Sequence, residues 1–327
     1  MPLVDEILTS RLGSLHALKR GTGKPAARRP AIMITTHMDA IGLMVSGIDD
    51  EFLRVHQIGD VDARILPGTP VLVHARRPLP GVVVMPPVMT LPAKDRDGPI
   101  ALQHLLVDVG LPSASVRNLV RIGDLITFDT PPIELCGDVL SGHSLDNRAA
   151  IAAMTICLEL LGERAHFWDV WAVATVQEEV SFGGATTSAY ALDPDLAITI
   201  DTTYAKGPGA EGWQTSVLGK GPSLGWGANL HPLLHRKFEQ LAKKLEIATG
   251  IDLAPEDSGT DAYATQVARH GIPSMLLSIP LRYMHTPVEV ISLRDVQRTG
   301  KLLAEFIIEL QPDFISTLTW DDGHGAG

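Results

Sequence analysis

Residues 31–39 read AIMITTHMD, an apolar run that stops abruptly at a histidine and an aspartate. The same form recurs in VWAVATVQEE at 170–179, DLAITIDTT at 195–203 and SMLLSIPLRYMH at 274–285. Apolar runs without alternation are the mark of strands buried on both faces. Between or after them lie helix-like stretches, DNRAAIAAMTICLELLGE at 146–163, HPLLHRKFEQLAKKLEIATG at 231–250 and LRDVQRTGKLLAEFIIEL at 293–310. Asp146 and Asn147 are expected to cap the first, and Gly250 to stop the second. The alternation predicts an α/β domain with a central sheet.

From about 48 to 137 the rhythm changes to FLRVHQIG, TPVLVHA, GVVVMPPV, HLLVDVG and DLITFDT, short β-rich pieces punctuated by Pro and Gly. These predict a small all-β domain inserted into the α/β domain, which then comprises 1–47 and 138–327. The crossings fall near 47–50 and 136–142, and the tail DDGHGAG is expected to be disordered.

The 327 residues are 45% hydrophobic, ample for a packed core, and 27 Lys and Arg against 38 Asp and Glu leave a net charge of −11. With no long basic run, nucleic acid is excluded as a partner. The opening LVDEIL is broken by acids and soon followed by KRGTGKPAARR, so neither a signal peptide nor a membrane span is expected, and a cytoplasmic location is. Cys136 and Cys157 lack CxxC spacing and are each expected to be a buried thiol.

The buried runs deliver polar groups at or just past their carboxyl ends: His37 with Asp39, Glu178 with Glu179, Asp201, and His285. That edge is where open α/β sheets build their sites. Asp146, opening a helix in SLDNR, is a fifth candidate for the same crevice. A single acid after a strand is more often a cap or turn residue, and a lone histidine is usually a satisfied polar group. Only the joint placement raises these residues above that reading. Two imidazoles and three or more carboxylates without thiolate suit zinc, cobalt or manganese. The excess of carboxylates points to two ions sharing a bridging acid. The adjacent Glu178 and Glu179 repel each other unless a cation is present, and one of the pair could ligate while its neighbour moves protons. His16, His56, His74, His104, His166, His235, His270 and His324 are read as structural or surface residues, with His143 and His231 as weak candidates.

The motifs THMDAIGLMV, LPGTPV with VDVG and IGD, SLDNRAAIAA, TVQEEVSFGGA, ITIDTT, LGKGPS, SGTDA and IPLRYMHTPVEVISLRDV, in this order, resemble the M42 family of dinuclear metal aminopeptidases over nearly the whole chain. Some members of that family form tetrahedral dodecamers, and some are named glutamyl aminopeptidases or endoglucanases. The resemblance implies a zinc-exopeptidase-like three-layer α/β sandwich with an inserted barrel-like β domain used in subunit assembly. It implies two divalent ions per subunit, zinc or cobalt, peptide substrates, and a homo-oligomer between dimer and dodecamer. Carried over by motif, His37 binds one ion, with Asp39 orienting its imidazole, and Asp146 bridges both ions. Glu178 becomes the general base on a metal-bound water and Glu179 a ligand, while Asp201 completes the His37 site and His285 the Glu179 site.

The chain also departs from the family pattern. Ala40 stands where HMDEIG has glutamate, SFGG at 181–184 replaces Gly-Leu-Arg-Gly, Gly207 lies where an acid is common, and SLGWGANL follows the GKGP motif without its usual acid. About thirty residues precede the His-x-Asp strand where relatives carry several dozen, a difference expected to expose apolar surface. Asp261 and Arg282 lie in motifs near the site, as contacts for a substrate amine or as loop anchors. Two alternatives keep the metals and change the bond, namely deacylation of N-acyl amino acids and glycoside hydrolysis; the latter ordinarily uses two carboxylates without metal. A third is a non-catalytic scaffold that retains the fold.

Overall fold

The structure, a computed structural model, describes residues 3–23 and 28–319. The expected disordered tail and His324 therefore lie outside the described residues. The central sheet has eleven strands. At its middle Asp169–Thr175, Ala31–His37, Leu196–Tyr204 and Ser274–Arg282 run side by side and parallel. All of Ala31–His37 is buried. Ile32 and Ile34 enter the core under one face and Met33 the core under the other, as the two-residue period of a strand requires.

Helices Leu145–Glu163, Pro232–Lys244 and Leu293–Glu309 bury Ala149, Phe238 and Leu302 against the first face. Gly183–Leu192 and Asp261–Gln266 cover the second, where Ala189 packs with Met33 and Ala197. The result is a three-layer sandwich of the zinc-exopeptidase type. Two of the covering helices touch at Gly300, where a Cβ would lie 2.9 Å from that of Ile156. A larger residue there would push Leu293–Glu309 off its neighbour.

Gly42–Asp49, Phe52–Ile58, Leu106–Asp108, Pro78–Val84, Pro70–His74 and Leu125–Phe128 pair antiparallel into a closed six-stranded barrel. Its alternating residues, Leu43 with Val45, Leu53 with Val55 and Val71 with Val73, point inward. The barrel strands thus run from residue 42 to residue 128, earlier at both ends than the composition change near 48 and 137. The reason is that Ile133–Leu135 and Val139–Gly142 pair onward to Glu289–Ser292 in the large sheet. The barrel also holds a short helix, Ser113–Leu119, whose Val116 enters its core.

Two further elements differ from expectation. The stretch 231–250 is helical only over Pro232–Lys244. Glu246 turns left-handed at φ 55° and the Ile247 amide reaches back to the Ala242 carbonyl at 2.9 Å, a helix-ending pattern. Gly250 then opens a strand, Gly250–Ala254, beside Ser223–Gly227, instead of stopping the helix. At the opposite edge Glu6–Thr9 and Leu15–Lys19 form a hairpin that extends the sheet past Asp169–Thr175.

Candidate metal centre

The carboxyl ends of the parallel strands converge on one crevice of about 460 Å³, lined by His37, Asp146, Glu178, Glu179, Asp201 and His285. His37 closes its strand and is buried. Its Nδ1 lies 3.0 Å from the Asp39 carbonyl oxygen. A carbonyl only accepts, so Nδ1 carries a proton and Nε2 is the ring nitrogen that faces the crevice, free to ligate an ion once it gives up its own proton. Around that Nε2 stand Asp146 Oδ1 at 3.1 Å, Asp201 Oδ1 at 3.6 Å and Glu178 Oε2 at 3.9 Å.

Asp146 faces two ways. Its Oδ1 meets His37, and its Oδ2 lies 3.6 Å from Nε2 of His285, which is also 3.6 Å from Glu179 Oε2. Ligand-bearing atoms of His37, Glu178 and Asp201 lie within 4.8 Å of one another, as do those of His37, Asp146 and Glu179. The six side chains named from the sequence are therefore together, and Asp146 lies between the two imidazoles. The helix meant to be capped by Asp146 and Asn147 instead begins irregularly, with non-helical backbone at both residues and a cis Asp146–Asn147 peptide.

Asp39 does something the sequence does not reveal. Its carboxylate is 3.8 Å from the His37 ring and instead accepts the backbone N–H groups of Glu178 and Glu179, each at 3.3 Å. It thereby ties the start of the short helix Glu178–Ser181 to the His37 strand and aims both glutamates. Glu289 was also missed. It is buried, and its two oxygens accept the N–H groups of Asp146 and His285, both at 3.1 Å. Its one sequence signal is the acid four residues after the histidine in HTPVE. Asn147 Nδ2 donates to Asp201 Oδ1 at 2.7 Å, fixing the orientation of that carboxylate. Left-handed backbone at Ser144, Gln177 and His285, with φ of 61°, 65° and 62°, stores strain of about 1–3 kcal/mol per residue beside the site.

The barrel reaches the same crevice. Gly59 follows the strand Phe52–Ile58, and a Cβ there would lie 3.2 Å from Glu179 Oε2. Its φ of +71° likewise favours glycine. Arg282 donates from Nε to the Lys206 carbonyl at 2.6 Å, a loop anchor. Asp261 is buried and accepts the Thr175 hydroxyl at 2.5 Å. His143 packs edge-on against Phe128, and His231 caps Pro232–Lys244, so neither joins the cluster.

The electrostatics favour a bound cation over the bare cluster of acids. Burial, then the charge of Asp201, pushes Glu178 up to about 10. Burial, then Asp146, raises Glu179 to about 8 and Glu289 to about 8. Burial also lifts Asp201. Burial depresses the His37 imidazole, but hydrogen bonds to Asp146 and Asp201 and their charges outweigh it and hold it well above its usual value. Burial opposes ionisation of Asp146 too, yet the hydrogen bond and charge of His37 bring it below the usual range. Glu179 Oε1 is buried with no hydrogen-bond partner among the described residues, an acceptor left for a ligand. An all N/O donor set with a surplus of carboxylates fits divalent ions.

This makes the metal-free protein pH-sensitive with a definite sign. The folded state keeps protons on Glu179 and Glu289 up to about 8 and on Glu178 up to about 10, whereas the unfolded chain releases them near 4.5. Their contribution is complete below that lower value and is lost as pH rises through the folded ones. Four histidines lowered by burial, His16, His143, His166 and His231, act oppositely only up to about 6.5. From pH 7 to 9 the Tm of metal-free protein should therefore fall by roughly 5 °C or more, and divalent ions should remove most of that fall. Calorimetry showing a flat or rising metal-free Tm over that window would contradict this account.

A family model described as M42 glutamyl aminopeptidase matches residues 13–302. The lysyl aminopeptidase of Pyrococcus furiosus is 37% identical over 315 residues, covering 95% of this chain and 89% of that protein. Among solved structures, an aminopeptidase from the archaeon Desulfurococcus kamchatkensis is similar at TM-score 0.86 and 33% identity, covering 97% of this chain and 89% of that one. The TET1 peptidase of Pyrococcus horikoshii, described as assembling into a tetrahedron or a large octahedral shell, is similar at TM-score 0.77 and 28% identity, covering 93% and 90%.

Proposed function

From the premise that this chain belongs to the M42 glutamyl aminopeptidase family and is an aminopeptidase, we propose that it removes N-terminal residues from short peptides with two divalent ions per subunit, zinc or cobalt. The observation that carries this reading is the two-sided placement of Asp146 between His37 and His285. His37 and Asp201 would hold one ion, Glu179 and His285 the other, and Asp146 would bridge them. Such ions polarise a scissile carbonyl and acidify the attacking water.

The chain's own groups do the rest. Glu178, held by Asp39 through its backbone N–H, takes the proton of the attacking water and delivers it to the departing amine. Its carboxyl stands at about 10 without a cation, and nearby positive charge brings it down to the range where a base works. Asp39 and Glu289 keep the glutamates, Asp146 and His285 in register through their backbones.

Two wider features belong to the same proposal. The inserted β domain, 48–137 by composition, is the assembly module of a homo-oligomer, supported by exposed Met85, Val88, Met89 and Ile122 and by the shells of the horikoshii relative. Light scattering that returned a monomer-sized particle would contradict it. A cytoplasmic location is supported by the two free cysteines, Cys157 buried as expected and Cys136, on the segment after the barrel, exposed instead of buried; fractionation of source cells would test it. Among the described residues no helix is long and apolar enough to cross a membrane.

The deciding experiment combines metal analysis with a panel of aminoacyl anilides, N-acetyl amino acids and a glucan, with and without chelator. Anilide hydrolysis should vanish on chelation and return with cobalt or zinc. Cleavage of acetylated substrates alone would favour the deacylase, and glucan cleavage that survives metal removal would favour a glycosidase.

A further inference from the structure

An oxygen that gains negative charge during a reaction is stabilised by a donor held in place beforehand, and the crevice is short of donors. Its lining is acidic, and among the described residues no Lys or Arg lines it. Most of its hydroxyls are already committed. Asp252, in the strand Gly250–Ala254, accepts the Thr203 hydroxyl at 3.2 Å and the Ser278 hydroxyl at 2.6 Å. Ser258 and Thr260 bond each other at 3.0 Å, and the Thr202 hydroxyl is drawn to the Asp146 carboxylate. The phenol of Tyr204 also lines the crevice, and it makes no hydrogen bond among the described residues.

Tyr204 ends the strand Leu196–Tyr204, three residues past Asp201, on the same side of the strand as Thr202. Its backbone is held on both flanks, by pairing with Leu281 and by the Ser216 N–H, which donates to its carbonyl at 2.8 Å. The side chain is half-exposed, so its hydroxyl is open to a bound substrate. Burial, then the charges of Asp60 and Asp146, raises the phenol above its ordinary value, and it keeps its proton as a donor must. Gln214, the other neutral side-chain donor of the lining without a partner, is exposed on the segment that leads from Tyr204 to Ser223–Gly227 and has no such support.

Resting on the aminopeptidase reading and deepening it, we infer that the Tyr204 hydroxyl is a catalytic hydrogen-bond donor to the oxygen of the scissile carbonyl. As the attacking water adds to the carbonyl carbon, the π pair of that carbonyl moves onto its oxygen, and Glu178 takes the proton that the water releases. The Tyr204 O–H donates to the oxygen bearing the new charge and keeps its own proton throughout. When the C–N bond breaks, the pair returns to rebuild the carbonyl, Glu178 passes its proton to the departing amine, and the contact weakens. The bond is strong only while the charge exists, so it raises turnover without tightening substrate binding.

The test is Tyr204→Phe, which removes one hydroxyl from a half-exposed ring, assayed as metal-loaded protein on a leucyl anilide. Its kcat should fall about tenfold or more, with KM within about twofold of wild type and bound metal unchanged. Calorimetry supplies a readout apart from turnover: the phosphonate analogue of leucine, tetrahedral and anionic, should bind the variant about tenfold more weakly, with L-leucine unaffected. A variant that keeps the wild-type kcat overturns the inference. A higher KM at unchanged kcat, or an equal loss of affinity for both ligands, also overturns it, because the phenol would then hold the substrate's ground state. Loss of an ion overturns it too, since Tyr204 would then support the metal site. If the wild type cleaves no anilide, the aminopeptidase reading fails by itself. The calorimetry still decides the inference in that case: equal phosphonate affinity in wild type and variant sinks it.

Discussion

Glu178→Gln is expected to lose about a hundredfold or more in kcat while its complement of two ions stays unchanged. The side chain is partly buried, its Oε2 is 3.9 Å from His37 Nε2, and its backbone N–H is fixed by Asp39. Gln keeps the shape and one oxygen but cannot accept a proton, so binding geometry survives and proton transfer does not. The distinction matters here because the Glu178 carboxylate also lies within 4.8 Å of His37 and Asp201 donor atoms, close enough to act as a ligand. Elemental analysis separates the roles. Loss of one ion with the activity would make Glu178 a ligand, and retention of more than about a tenth of the wild-type kcat would remove it from proton transfer.

The second large effect is expected at Asp146. Asp146→Ala should take bound metal from two ions to one or none and reduce turnover about a thousandfold or more, because one side chain faces both imidazoles. Removing a buried ligand can also unfold a protein, so the metal-free Tm serves as control. Asp146 raises its neighbours Glu179, Glu289 and Asp201 by its charge, and its deletion relieves that repulsion. The metal-free variant should consequently melt within a few degrees of metal-free wild type, with the gap opening only when ions are added. An Asp146→Ala protein that still binds two ions and turns over would defeat the bridging assignment.

Much of the chemistry was legible in the linear order of residues. A strand buried on both faces must be apolar throughout, so the polar groups of AIMITTHMD or VWAVATVQEE can appear only where burial ends. That is why His37, Glu178, Glu179 and Asp201 stood out, and why their common placement at one sheet edge followed from the strands being parallel. The supporting groups left weaker traces. Asp39 looked like a partner for an imidazole two residues away, but its oxygens bond amides 139 and 140 residues distant. Glu289 bonds the Asp146 amide across 143 residues, and no local period announces such a contact.

The gap between the two kinds of residue is physical. Hydrophobic periodicity, capping and turn chemistry are local, acting over a few residues, and they carry the α/β alternation, the inserted β segment and the donor types of the metal cluster into the sequence itself. Which donors share a cluster, which carboxylate accepts which backbone N–H, and which acid is left facing the crevice depend on strand pairing and loop closure between distant segments. Asp252 shows the difference: in sequence it sits past a helix end, and only the register that brings Gly250–Ala254 alongside Ser223–Gly227 carries it to Thr203 and Ser278. Side-chain identity was written residue by residue, whereas the fields those side chains feel arise only after the chain has folded.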